Sequence, residues 1–76
     1  MSIAFIMVNT DLDVHDELCS QLRTIPGIIE ANEVYGIYDI IIKIEFNNME
    51  KLKETVSTKI RSLDGVKSTL TMISAD

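Results

Sequence analysis

Apolar residues along the chain follow two rhythms, one of strands and one of helices, and each occurs twice. Residues 3–8 form an apolar run of strand length. Val14, Leu18, Leu22 and Ile25 follow at intervals of four, four and three, which is one face of a helix. Asp11 or Asp13 is placed to cap that helix, and Asp16 and Glu17 fall in its first turn, where the helix dipole favours carboxylates. Pro26-Gly27 ends it, because proline breaks the hydrogen-bond ladder and glycine accepts a left-handed cap. A second strand over 28–35 leads to a tight hairpin at Gly36. Beyond it, Tyr38, Ile40, Ile42, Ile44 and Phe46 alternate with Asp39, Ile41, Lys43 and Glu45, which predicts a strand over 38–46. Asn47 or Asn48 caps a second helix with Leu52, Val56, Ile60 and Leu63 on its inner face. Asp64-Gly65 stops that helix, and 66–73 is the last strand.

The two halves match at an offset of 38, half of the 76 residues, with no insertion. Leu22-Arg23-Thr24-Ile25-Pro26-Gly27-Ile28 corresponds in chemical type to Ile60-Arg61-Ser62-Leu63-Asp64-Gly65-Val66. The same offset pairs 3–8 with 41–46, Asn9 with Asn47, Val14 with Leu52 and Leu18 with Val56. Each half reads strand–helix–strand. The order βαββαβ with right-handed crossovers predicts a single α+β domain over 1–76, a ferredoxin-like sandwich. Its four-stranded antiparallel sheet has the order 4-1-3-2, with two helices on one face. Ala4, Ile6, Val8, Ile42, Ile44 and Phe46 face those helices. Ile3, Phe5, Met7 and Ile41 are left pointing the other way. Burying four such side chains is worth roughly 6–12 kcal/mol gross per protomer, comparable with what association costs. The expectation is a homodimer through the open sheet face.

Composition narrows the function. With 46% hydrophobic and 25% charged residues the chain is a folded domain, and no apolar run approaches the ~20 residues of a membrane span. Nothing resembles a signal peptide, so the expected compartment is the cytoplasm, with no membrane partner. Twelve acidic against seven basic residues give a net charge of −5 without any Lys/Arg cluster, which argues against direct nucleic-acid binding. The lone Cys19 excludes an internal disulfide. His15 and Cys19, four apart, make half a metal site that nothing else completes, and are read as a surface histidine beside a partly buried cysteine. The first loop, Asn9-Thr10-Asp11-Leu12-Asp13, has no Cys-x-x-Cys pair. No nucleophile–base set, phosphate loop or metal set is present, so no enzyme activity, metal or cofactor is expected.

The informative stretches are Val34-Tyr35-Gly36-Ile37-Tyr38-Asp39 and Ser68-Thr69-Leu70-Thr71-Met72. Asp39, in an isoleucine-rich strand, must be solvated or paired. Thr69 and Thr71 put two hydroxyls on one strand face. These groups form either a small polar pocket or ordinary turn and edge-strand chemistry.

Gly36-Ile37-Tyr38-Asp39-Ile40-Ile41-Ile42-Lys43-Ile44 resembles the Gly-x-Tyr-Asp strand of the Lrp/AsnC family's C-terminal effector domain, the RAM domain. Ile25-Pro26-Gly27-Ile28 and Leu63-Asp64-Gly65-Val66-Lys67-Ser68-Thr69-Leu70-Thr71-Met72 resemble its two helix-to-strand turns and final Thr-x-Thr strand. The resemblance implies the same βαββαβ fold, dimers assembled into octamer-like rings, and an amino-acid effector bound between dimers. It implies ligand contacts at Gly36, Tyr38, Asp39, Thr69 and Thr71, completed by a second subunit. Full-length members carry a helix-turn-helix domain before the first strand, where this chain begins. The expectation is a stand-alone RAM protein acting through oligomerisation and co-assembly with full-length Lrp/AsnC regulators. The alternatives are a structural partner without ligand and a small dimeric α/β-barrel enzyme of monooxygenase or isomerase type, with an amino-acid-binding ACT domain the nearest look-alike.

Overall fold

The computed structural model describes residues 1–11 and 15–75, with His15 described by its backbone alone. The elements are β1 (Ser2–Thr10), α1 (His15–Leu22), β2 (Ile28–Glu33), β3 (Ile40–Phe46), α2 (Met49–Glu54) running into a π-helical segment (Thr55–Ile60), and β4 (Val66–Ile73). All strand pairs are antiparallel, in the order β2-β3-β1-β4. This is the expected order read from the other edge. Asp13 as a cap, Val14 on the helix face and the His15–Cys19 pairing lie outside the described residues.

The central pair β1–β3 sets the core. Ala4, Ile6 and Val8 stand opposite Ile44, Ile42 and Ile40, and directly opposed residues share a face. All six are buried, as are Leu18, Cys19 and Leu22 of α1 and Leu52 and Ile60 of the second helix. Ile25, Val56 and Leu63 are partly buried against this core. Asn48 caps α2 by accepting a hydrogen bond at Oδ1 from the Lys51 amide at 2.9 Å.

Three local departures have physical causes. The hairpin strands are two residues shorter on each side than expected. The Val34 amide donates to the Asp39 carbonyl at 2.9 Å and closes a loop over 35–38. In β2, Ile28 pairs with Ile44 but Glu30 pairs with Lys43, so Ile29 is an extra, exposed residue that bulges the edge strand. The second helix is not α-helical throughout. The Arg61 amide donates five residues back to the Val56 carbonyl at 2.8 Å. Thr58 Oγ1 donates to the Glu54 carbonyl at 2.6 Å, and Ser57 Oγ reaches the same oxygen at 3.3 Å. These hydroxyls take the carbonyl that α-helical geometry assigns to the Thr58 amide, and the β-branched run Thr55-Val56 crowds the turn further. A one-residue widening relieves both.

Gly27 joins α1 to β2 with φ +95°. Its carbonyl accepts from the Glu45 amide at 2.8 Å, and an added Cβ would lie 3.1 Å from the Glu45 carbonyl oxygen. Around Gly36, a Cβ meets nothing within 4 Å. Gly27→Ala is therefore expected to lower stability by about 1–2 kcal/mol. The urea unfolding midpoint of this variant beside wild type checks it.

Candidate functional site

Asp39 is the last residue before β3, and its backbone amide donates to the Val8 carbonyl at 2.9 Å. The ladder between β1 and β3 ends at Val8 opposite Ile40, while β1 continues to the buried Thr10. Asp39 supplies the missing rung with its side chain. Oδ2 accepts from the Thr10 amide at 2.8 Å and lies 3.4 Å from Thr10 Oγ1. Of the two fates open to this carboxylate, pairing is the one realised. Gly36 and Asp39, with Glu33, Val34 and Tyr35, wall a depression of about 430 Å³. Tyr38 is half-buried and is not part of that wall, whereas Tyr35 and Ile37 are exposed on either side of Gly36. Glu33 and Tyr35 are wall residues that reading the motif alone passes over.

Thr69 and Thr71 lie elsewhere in the protomer. They stand opposite Val8 and Ile6 of β1, so they occupy the helix side of the sheet on the edge strand. They are two strands from the hairpin, about 10 Å at ordinary strand spacing. Thr71 lines a separate groove of about 350 Å³ beside the second helix. One protomer thus brings Gly36 and Asp39 together and keeps Thr69 and Thr71 apart from them.

The other sheet face carries Ile3, Phe5, Met7 and Ile41. Leu70 stands opposite Met7 and Met72 opposite Phe5, which adds two apolar residues to that face. Phe5 is 38% exposed, Leu70 45% and Met72 43%. Extending the alternation of β1 across to β4 would have identified both, since the threonines take the opposite side. Lys43 and Glu45 are opposite Phe5 and Ile3 and add charge to the same face.

Cys19 is buried on α1. Burial pushes its thiol pKa up; Glu33 and Asp16 push the same way, and Arg23 opposes them. The thiol therefore stays protonated and unreactive at neutral pH. Among the described residues no group of His, Cys, Asp and Glu side chains could hold a metal ion, and no helix is long and apolar enough to cross a membrane.

A family model described as the Lrp/AsnC ligand binding domain matches residues 3–76. The chain belongs to the Lrp/AsnC family. It is 35% identical over 74 residues to an uncharacterized HTH-type transcriptional regulator of Pyrococcus horikoshii, covering 93% of this chain and 49% of that protein. It spans about half the length of the curated regulators it matches. A homocitrate synthase of Sulfurisphaera tokodaii is 35% identical over 71 residues, covering 92% of this chain but 15% of the enzyme. Among solved structures, FFRP-DM1 superposes with a TM-score of 0.92 at 35% identity, covering 97% of this chain and 99% of that one. A transcriptional regulator of Neisseria meningitidis, solved as an L-Met complex, shares the fold with a TM-score of 0.90 at 19% identity, over 99% of this chain and 50% of that one.

The ladder role of Asp39 can be separated from its charge. Asp39→Ala leaves the buried Thr10 amide without its acceptor and is expected to cost about 1–3 kcal/mol. Asp39→Asn keeps a carbonyl oxygen in place and is expected to cost clearly less. Chemical denaturation of the two variants beside wild type measures the difference.

Proposed function

We propose that this chain is a non-catalytic effector-binding and assembly module of the Lrp/AsnC type. It pairs with a second copy through its open sheet face and holds a free amino acid, or a related small metabolite, at the 34–39 hairpin. The observation that carries this reading is the uncovered apolar face. Ile3, Phe5, Met7 and Ile41, extended by Leu70 and Met72, form a patch of a kind monomers avoid and a second copy covers.

Pairing through that face leaves Thr69 and Thr71, on the opposite side of the sheet, available to a neighbouring dimer. A zwitterionic ligand needs an acceptor for its ammonium and donors for its carboxylate. Gly36, Tyr38 and Asp39 of one subunit supply the acceptor and hairpin N–H groups, and Thr69 and Thr71 of another supply hydroxyls. Such a joint calls for dimers assembled further, into a ring of four dimers. Ligand occupancy shifts assembly only to the extent that affinity differs between the assembly states.

The chain co-assembles with Lrp/AsnC regulators in the cytoplasm, and the charge of −5 on these 76 residues favours no duplex. The likeness to a stretch of homocitrate synthase supports ligand binding as the shared task, because an enzyme and a transcriptional regulator have no DNA contact in common.

Two measurements test the reading. Phe5→Asp puts a charge into the proposed contact, and light scattering is expected to find monomers where wild type is dimeric or larger. A monomeric wild type at micromolar concentration overturns the pairing. A thermal-shift screen of the common amino acids and polyamines identifies the effector. Asp39→Asn is then expected to weaken it roughly tenfold to a hundredfold with the fold intact. If no amino acid stabilises wild type at millimolar concentration, the ligand-free structural partner takes the place of the sensor.

A further inference from the structure

The groove between the second helix and β4 has a chemistry opposite to that of the hairpin depression. Leu52 and Val56 from the helix and Ile73 from β4 give it an apolar floor, with Met49 at one end. Lys53 and Arg61 stand on its rim beside the hydroxyl residues Ser57 and Thr71, and no carboxylate lines it. In a chain with twelve acidic and seven basic residues, two cations sharing one groove without an acidic neighbour in the wall form a local positive site in a negative molecule.

Two independent features add to this. Val56 and Ser57 lie within the π-helical segment and Arg61 follows it directly, and widened turns of this kind occur frequently at functional sites. Met49 and Ile73 are 44% and 47% exposed, so an apolar ligand would remove surface from water that the protomer itself leaves wet. At about 350 Å³ the groove is at the small end of ligand sites, the size of a metabolite.

We propose that this groove binds a small aliphatic carboxylate, its tail on Leu52, Val56 and Ile73 and its carboxylate between Lys53 and Arg61. The planar Arg61 guanidinium offers two parallel N–H donors to a carboxylate, and Lys53 adds a point charge. The carboxylate takes its hydrogen bonds from these two cations, since the Ser57 hydroxyl is already engaged by the Glu54 carbonyl. An amino acid fits poorly here, because its ammonium would sit beside two cations. The favoured class is a carboxylate without a neighbouring amine, such as a fatty or 2-oxo acid. The inference rests on reading the domain as effector-binding, and it uses no hairpin residue.

The test is a titration of isotope-labelled wild-type protein with hexanoate, followed by amide NMR shifts. Saturable shifts confined to 52–61 and 71–73 are expected at millimolar hexanoate. Hexanol and hexylammonium, which share the tail, are expected to produce at most a tenth of that occupancy. These comparisons use wild type alone and do not depend on any variant folding. The double variant Lys53→Gln/Arg61→Gln changes two exposed residues and is expected to bind hexanoate at least tenfold more weakly, while Asp39→Asn binds it as wild type does. Shifts scattered over the surface, an equal response to hexanol, tighter binding of norleucine than of hexanoate in the groove, or unchanged affinity in the double variant each overturn the proposal. Failure of the hairpin reading has a different signature: no amino acid depends on Asp39, and hexanoate shifts at 52–61 remain.

Discussion

β1 and β3 share one unbroken antiparallel register, from Ser2 opposite Phe46 to Val8 opposite Ile40. A slip of a single residue would exchange every inward side chain for an outward one. At the middle of this register Phe5 faces Lys43, and these two positions are counterparts at the offset of 38. An internal two-fold therefore passes through that pair. β2 and β4 become equivalent edges, and both helices cross to the same side. Because β1 is apolar on both faces, closing one face with helices leaves its other side chains exposed, and the proposed pairing would draw on the same strand that builds the core.

The strict alternation over 38–46, the helical spacing of Leu18 and Leu22, and the repeat made strand order and facing legible from the sequence. What was not legible depends on where elements end. Gly36 marks that the chain turns, but the loop length follows from the Val34–Asp39 hydrogen bond, which no residue type announces. Ile28-Ile29 hides a bulge because either isoleucine suits the inward position. The π-helical segment had a readable signal in Thr55-Val56-Ser57-Thr58, a run of β-branched and hydroxyl side chains within reach of the Glu54 carbonyl. The facing of Thr69 was available from the repeat, since its counterpart is Ala31, which is buried against the helices.

The candidate chemistry divides along the same lines. Glu33 and Asp39 give the hairpin depression an acidic wall, and Lys53 and Arg61 give the helix groove a cationic one. Asp39 shows how a residue that stands out by charge can be recruited by the backbone: its carboxylate continues a ladder that β3 has already left. A side chain used in this way is pre-oriented by the strand it completes, and that same commitment ties anything bound at the hairpin to the last residue of β1.

The two sheet edges differ in how they would receive another strand. Beyond the shift near Thr10, β4 offers Ser68 to Ile73 in continuous register with β1, whereas β2 keeps only the stretch from Glu30 to Glu33 after its bulge at Ile29. Bulges and charged side chains are the devices by which edge strands resist templating. A sheet extended through β4 of two chains would thus present an interrupted, acidic β2 at both outer margins. In such a pair the margins least suited to further backbone pairing would lie outermost.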